Sequence, residues 1–155
     1  MNRRDFLTRG LLAVGTMTIT GCRGFEAAEH RYKLASENIL PPDIAKAPGE
    51  VREAYRFAIA NRDTLRYIPC YCGCGAQGHK ANESCFVARR DAKGNVLQWD
   101  EHGFGCTICI DVARESMQLY NSGADVTSIR AAIERRWAPG NAAGRTPTPA
   151  PPSKK

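Results

Sequence analysis

The chain has 155 residues, an apolar fraction of 43% and a formal net charge of +6, a size and composition that fit one domain. The charge suggests an acidic partner, but residues 50–138 carry 12 basic against 11 acidic side chains, so most of the excess lies in the two ends. A nucleic-acid binder concentrates basic charge on its folded part, and this distribution argues against that class.

In chain order, Asn2-Arg3-Arg4-Asp5-Phe6-Leu7-Thr8 resembles the twin-arginine export signal: a polar residue, two arginines, any residue, then Phe-Leu. The apolar run from Leu11 to Thr20 is about half of the roughly 20 residues a membrane span needs, so it reads as a signal and not a spanning helix. Ile19-Thr20-Gly21-Cys22 closes it and resembles a lipobox, in which cleavage leaves a cysteine that carries diacylglycerol. Residues 1–21 are thus expected to be a signal peptide, with Cys22 the lipidated anchor of a protein on the extracytoplasmic, periplasmic side of a membrane. Twin-arginine signals mark proteins exported already folded. A metal centre assembled in the reducing cytoplasm has a reason to travel that way, whereas a disulfide-stapled domain can oxidise outside.

Residues 22–48 are polar and punctuated by Pro41-Pro42 and Pro48-Gly49, and they read as a tether with at most a short helical piece. The folded domain is expected over residues 49–138. Val51, Ala54, Tyr55, Ala58 and Leu65 recur at helical steps, with an interruption near Asn61 and a forced stop at Pro69. Cys74 to Ser84 is rich in small residues and reads as a loop. Phe86–Arg89 and Asn95–Trp99 flank Asp91-Ala92-Lys93-Gly94, the pattern of a β-hairpin. A second helix is expected from about Thr107 to Tyr120, with Ile108, Val112, Met117, Leu119 and Tyr120 on its apolar side and Gly123 as its cap. Asp125 caps a third, whose inner face is Ile129, Ala132, Ile133 and Trp137. Residues 139–155 hold five of the nine prolines and little that is apolar, and they are expected to be disordered. The class is α+β, mostly helical: a small domain of about three helices and a hairpin around a cysteine cluster.

That cluster is the informative part. Of seven cysteines, six lie between Pro69 and Cys109: Cys70, Cys72, Cys74, Cys85, Cys106 and Cys109. Cysteines two apart in an extended chain project to one side, so Cys70, Cys72 and Cys74 can present a row of sulfurs. Cys106 and Cys109 begin a helix one turn apart, where oriented N–H groups are expected to favour thiolates. A Cys-x-Cys edge facing a Cys-x-x-Cys helix start makes a thiolate cage suited to a soft metal, copper or zinc. His79 is the better candidate of two nearby histidines to complete the coordination, with His102 second. Asp100, Glu101 and Asp111 are hard oxygen donors, read as solvated charges or, for Asp111, as a partner to the first helical turn.

Pro69-Cys70-Tyr71-Cys72-Gly73-Cys74 resembles, residue for residue, the hexapeptide of the PCYCGC-motif family of bacterial lipoproteins, and Gly78-His79, Cys85-Phe86 and Gly105-Cys106…Cys109 resemble its downstream pattern. The resemblance implies an exported, anchored, cysteine-rich domain over about residues 50–137. It does not choose a ligand.

Three functions follow from these residues. The leading one is a lipid-anchored metal-binding protein that sequesters or delivers copper or zinc, or uses the metal structurally, with a metal donor or acceptor protein as partner. The second is a disulfide-stapled scaffold, since six cysteines in an exported domain pair in fifteen ways. The third is a thiol–disulfide oxidoreductase working through Cys106 and Cys109. No Ser/His/Asp constellation, P-loop or paired carboxylates point to a hydrolase or transferase, and an enzyme is not expected.

Overall fold

The structure, a computed structural model, describes residues 31–152. The signal motif and Cys22 lie outside them. Among the described residues six α-helices and one hairpin make a small α+β domain. Helix α1 spans Pro42–Ala45, α2 Gly49–Ala60 and α3 Arg62–Leu65. Strands β1 (Val87–Arg90) and β2 (Val96–Trp99) follow, then α4 (His102–Gly105), α5 (Thr107–Asn121) and α6 (Val126–Trp137).

Helix α5 is the centre. It packs on α2, α4 and α6, and its buried face is Cys109, Ile110, Val112, Ala113, Ser116 and Met117. These recur at three- and four-residue steps, the stripe of a helix covered along one side. The face differs from the expected one: Ile108, Leu119 and Tyr120 sit only half-buried at its margins. The consequence is functional, because Cys109 joins the core. Ser116 can be fully buried since its hydroxyl donates to the Val112 carbonyl at 2.8 Å.

The punctuation works as the sequence suggests. Asn61 separates α2 from α3. Gly123 takes φ +97°, a left-handed exit from α5 that side chains disfavour. Asp125 accepts the Ser128 N–H and caps α6. The hairpin pairs Val87 with Trp99 and Arg90 with Val96 through an irregular register. A lone hairpin is marginal in water, and Arg90 pins this one, bonding Glu83 at 2.8 Å and the Ala58 carbonyl of α2 at 3.1 Å.

Two segments differ from expectation. Residues 31–48 do not stand off as a tether: Tyr32, Leu40, Ile44 and Ala47 are buried in the common core. Tyr32 meets Phe57 edge-on at 5.4 Å, and Ala35 and Glu37 are held by Arg56. The C-terminal segment folds back along the cysteine loop. Thr146 is fully buried. Its N–H donates to the Cys70 carbonyl at 2.9 Å, and its hydroxyl accepts the Cys70 N–H at 2.9 Å. The Gly73 N–H donates to the Gly144 carbonyl at 3.0 Å. Poverty in apolar residues misleads here because the docking is made of backbone hydrogen bonds. In Thr146-Pro147-Thr148-Pro149 the threonines supply the groups that the prolines lack. Arg145 and Arg130 both bond Glu134 of α6, and Arg130 also reaches the Pro149 carbonyl.

Thr146→Val keeps the side-chain shape and leaves the buried Cys70 N–H without an acceptor. It should cost about 1–3 kcal/mol, read as a lower midpoint in urea unfolding of the reduced protein. An unchanged midpoint would show that the segment is not docked.

Candidate metal centre

Three short pieces of chain deliver the sulfurs. The first follows α3. Pro69 ends the helical run, Gly73 turns at φ +87°, and Cys74 opens a 3-10 turn over Cys74–Gln77. The Cys-x-Cys-x-Cys run is therefore bent and not a straight edge, yet the sulfurs of Cys70, Cys72 and Cys74 lie within 4.8 Å of one another. The second is a 3-10 turn, Asn82–Cys85, that brings Cys85 in from the other side. The third is the start of α5, with Cys106 at the N-cap and Cys109 in the first turn.

Asn82 binds these pieces together. It is fully buried. Its N–H donates to the Ile68 carbonyl at 2.8 Å, and its side-chain amide donates to the Cys109 carbonyl at 3.1 Å. One residue thus ties the entry to the cysteine loop to the first turn of α5. Tyr55, on α2 and fully buried, does the same for the stretch after the hairpin. Its hydroxyl donates to the Asp100 carbonyl at 2.7 Å and accepts the Phe104 N–H at 3.0 Å. Burial raises its pKa above the ordinary phenol value, so it stays a donor. Gly103 lies so close to Phe86 that an added Cβ would fall 2.7 Å from the ring, which seats α4 against the core.

All six cysteines of the cluster are free thiols. Cys70, Cys72 and Cys109 form a triangle with sulfur–sulfur distances of 3.4, 3.5 and 3.5 Å. Cys74 and Cys85 stand 3.6 Å apart. Cys106 joins at the exposed end, where Cys72, His102, Cys106 and Cys109 have donor atoms all within 4.8 Å of each other. His102 Nε2 is 3.3 Å from Cys72 Sγ. His79 groups at the buried end with Cys74 and Cys85. The two rings meet edge to face, their centroids 5.2 Å apart.

Every sulfur proposed from the sequence is thus gathered in one place, and both histidines stand beside them. His102, the second choice, makes a 3.3 Å contact with Cys72 Sγ, while His79 lies within 4.8 Å of Cys74 and Cys85. Asp100 is not a solvated charge: its Oδ2 is 3.2 Å from His79 Nε2, and its Oδ1 accepts the His102 N–H at 2.9 Å. Glu101 and Asp111 are exposed, as expected. Sequence reasoning missed Thr146, Asn82 and Tyr55, which hold the backbone and carry no donor signature of their own.

The thiols share protons unequally. The S–H of Cys109 holds Cys70 down to about 7. Cys72 is pulled well below the ordinary thiol range by Cys109 and then by Cys70. Cys109 is pushed up because it serves those two as donor, and Cys85 is pushed up by its contacts with Cys109 and Cys70. Burial raises Cys106. This corrects the expectation that the helix start would make Cys106 and Cys109 the thiolates: desolvation and donation to neighbours outweigh the helix end. These cysteine and histidine groups can hold a metal ion.

The family model described as a protein of unknown function with PCYCGC motif matches residues 12–151. No curated protein and no solved structure matches the chain.

Two outcomes follow for the reduced, metal-free protein. Brief alkylation should modify Cys72 first, as a half-buried thiol whose pKa is held down by Cys109 and Cys70, while the buried Cys85, whose pKa is pushed up, stays unmodified until unfolding; peptide mass mapping reads the order, and Cys85 reacting first would contradict the geometry. Tyr55→Phe should cost about 1–3 kcal/mol and speed modification of Cys106, which follows the stretch that Tyr55 holds. Unchanged rates would show that the hydroxyl holds nothing there.

Proposed function

The chain belongs to the PCYCGC-motif family, whose description assigns no activity, and from the chemistry of its cluster we propose that it is a lipid-anchored, extracytoplasmic protein that holds a soft metal, copper or zinc, in a multi-thiolate site. The observation that carries this is the near-equal spacing of the Cys70, Cys72 and Cys109 sulfurs, 3.4 to 3.5 Å. Disulfides choose partners two by two at about 2.05 Å, and this triangle singles out no pair. Sulfurs about 2.3 Å from a tetrahedral ion stand about 3.8 Å apart, so the triangle has nearly the spacing of metal-bound thiolates, whether on one ion or on adjoining ions.

The donor chemistry agrees. Among the described residues the groups able to hold an ion contain thiols and imidazoles and no carboxylate. Thiolates select copper(I), zinc and similar ions over magnesium or calcium. Cys72, His102 and Cys106 are half-buried while Cys70, Cys74 and Cys85 are buried, an arrangement that suits a site retaining metal deeply and exchanging it at one edge. Sequestration and delivery both use such an edge, and a metal donor or acceptor protein is the partner that fits it. Cys22 and the twin-arginine motif of the sequence supply the anchor and the folded route. The role is binding and not catalysis.

Protein recovered after native export and purified anaerobically should contain at least one equivalent of copper or zinc by elemental analysis. Stripping the ion should lower the melting temperature by on the order of 10 °C, since a ligand at 100 times its dissociation constant stabilises by about 2.7 kcal/mol. Metal-free protein with its cysteines paired as three disulfides would establish the scaffold instead.

A further inference from the structure

The donors number more than one ion needs. Six thiols and two imidazoles make eight, and a tetrahedral ion takes four. They divide by burial. At the outer edge Cys72, His102 and Cys106 are half-buried, with Cys109 behind them. At the inner end Cys74, His79 and Cys85 are all buried. Cys70 stands between, grouped with Cys85 and Cys109 and also with Cys72 and Cys74.

The inner imidazole supplies a second, independent observation. His79 is only 9% exposed. Its Nε2 faces Asp100, 3.2 Å away, while its Nδ1 is buried without any partner. A buried polar atom normally has a partner, and an orphan marks a missing one. With the carboxylate accepting from Nε2–H, the ring is fixed in the tautomer whose free lone pair is on Nδ1, the arrangement of metal-ligating histidines backed by a carboxylate.

We propose that the cluster is two adjacent metal sites, each of three cysteines and one histidine, an inference that rests on reading the cluster as a metal centre. The outer ion takes Cys72, His102, Cys106 and Cys109. The inner ion takes Cys74, Cys85 and His79, whose donor atoms lie within 4.8 Å of one another, with Cys70, which lies within that distance of Cys74 and Cys85 but is not grouped with His79, closing in as the fourth ligand. The sets touch where the Cys70 and Cys109 sulfurs stand 3.5 Å apart. Asp100 is a positioning residue for both, through His79 Nε2 and the His102 N–H. The ligand class is a borderline-soft divalent ion of the zinc type, and the half-buried outer site is the one that exchanges.

The test is titration of the full chain, reduced under anaerobic conditions, with Zn²⁺ followed by native mass spectrometry and with Co²⁺ followed by visible absorption. Two ions should bind per chain, one leaving quickly to a chelator and one slowly. His79→Ala should hold a single, fast-exchanging ion, and His102→Ala a single, slow one. His79→Gln, which refills the buried space with an amide, repeats the first comparison should the alanine variant not fold. Asp100→Asn should keep two ions but release the inner one on the order of tenfold faster, with the cobalt ligand-field bands in place. A wild-type chain that saturates at one ion, or a folded His79 variant that still holds two, overturns the inference and leaves the metal reading standing. Failure to bind either ion overturns both.

Discussion

Two pieces of chain far apart in sequence must meet for this site to exist: the bent run after Pro69 and the first turn of α5. Neither could hold the other by sulfur contacts alone, because free thiols are weak donors and acceptors. The holding is done by hydrogen bonds to the backbone. Asn82 joins the Ile68 and Cys109 carbonyls from a fully buried position, and Thr146 satisfies both backbone groups of Cys70. Buried amide bonds of this kind strengthen in a low-dielectric interior and are costly to leave unmade. Thiols brought together by the backbone are already arranged before any ion arrives.

The same logic runs outward. Tyr55 fixes the stretch from Asp100 to Phe104 from its place in α2, and Asp100 passes that order to the His79 imidazole and to the His102 backbone. The hairpin has a purpose in this scheme. It is short and irregular, and Arg90 fastens it to α2 and Glu83. Its second strand ends at Trp99, beside the carboxylate on which the histidines depend. The molecule is a framework in which α2 and α5 set the position of loops, and the loops carry the chemistry.

The helices and their ends could be read from the sequence because their causes are local. Asn61, Pro69, Gly123 and Asp125 act on residues within a turn of themselves. The sulfur donors could be read because cysteine announces itself. What could not be read is what depends on partners distant in the chain. The docking of residues 144–149 leaves no apolar pattern, since its bonds are to the backbone of residues 70–73. His102 ranks second of the two candidate histidines in the sequence, because nothing local to it shows that its Nε2 stands 3.3 Å from Cys72 Sγ. Asp100 was judged by its hardness as a metal ligand, when its use here is to orient histidines. The ionisation order was misjudged for a related reason. A helix end acts locally, but Cys70 and Cys72 are lowered by hydrogen bonding with Cys109, a residue that only the fold brings near.

The most direct measurement is X-ray absorption at the metal edge of the natively exported protein. The account predicts a first shell dominated by sulfur at about 2.3 Å with a minority of imidazole nitrogen. A shell made of oxygen, or nitrogen without sulfur, would contradict it, because the thiols would then have been gathered for something other than a metal.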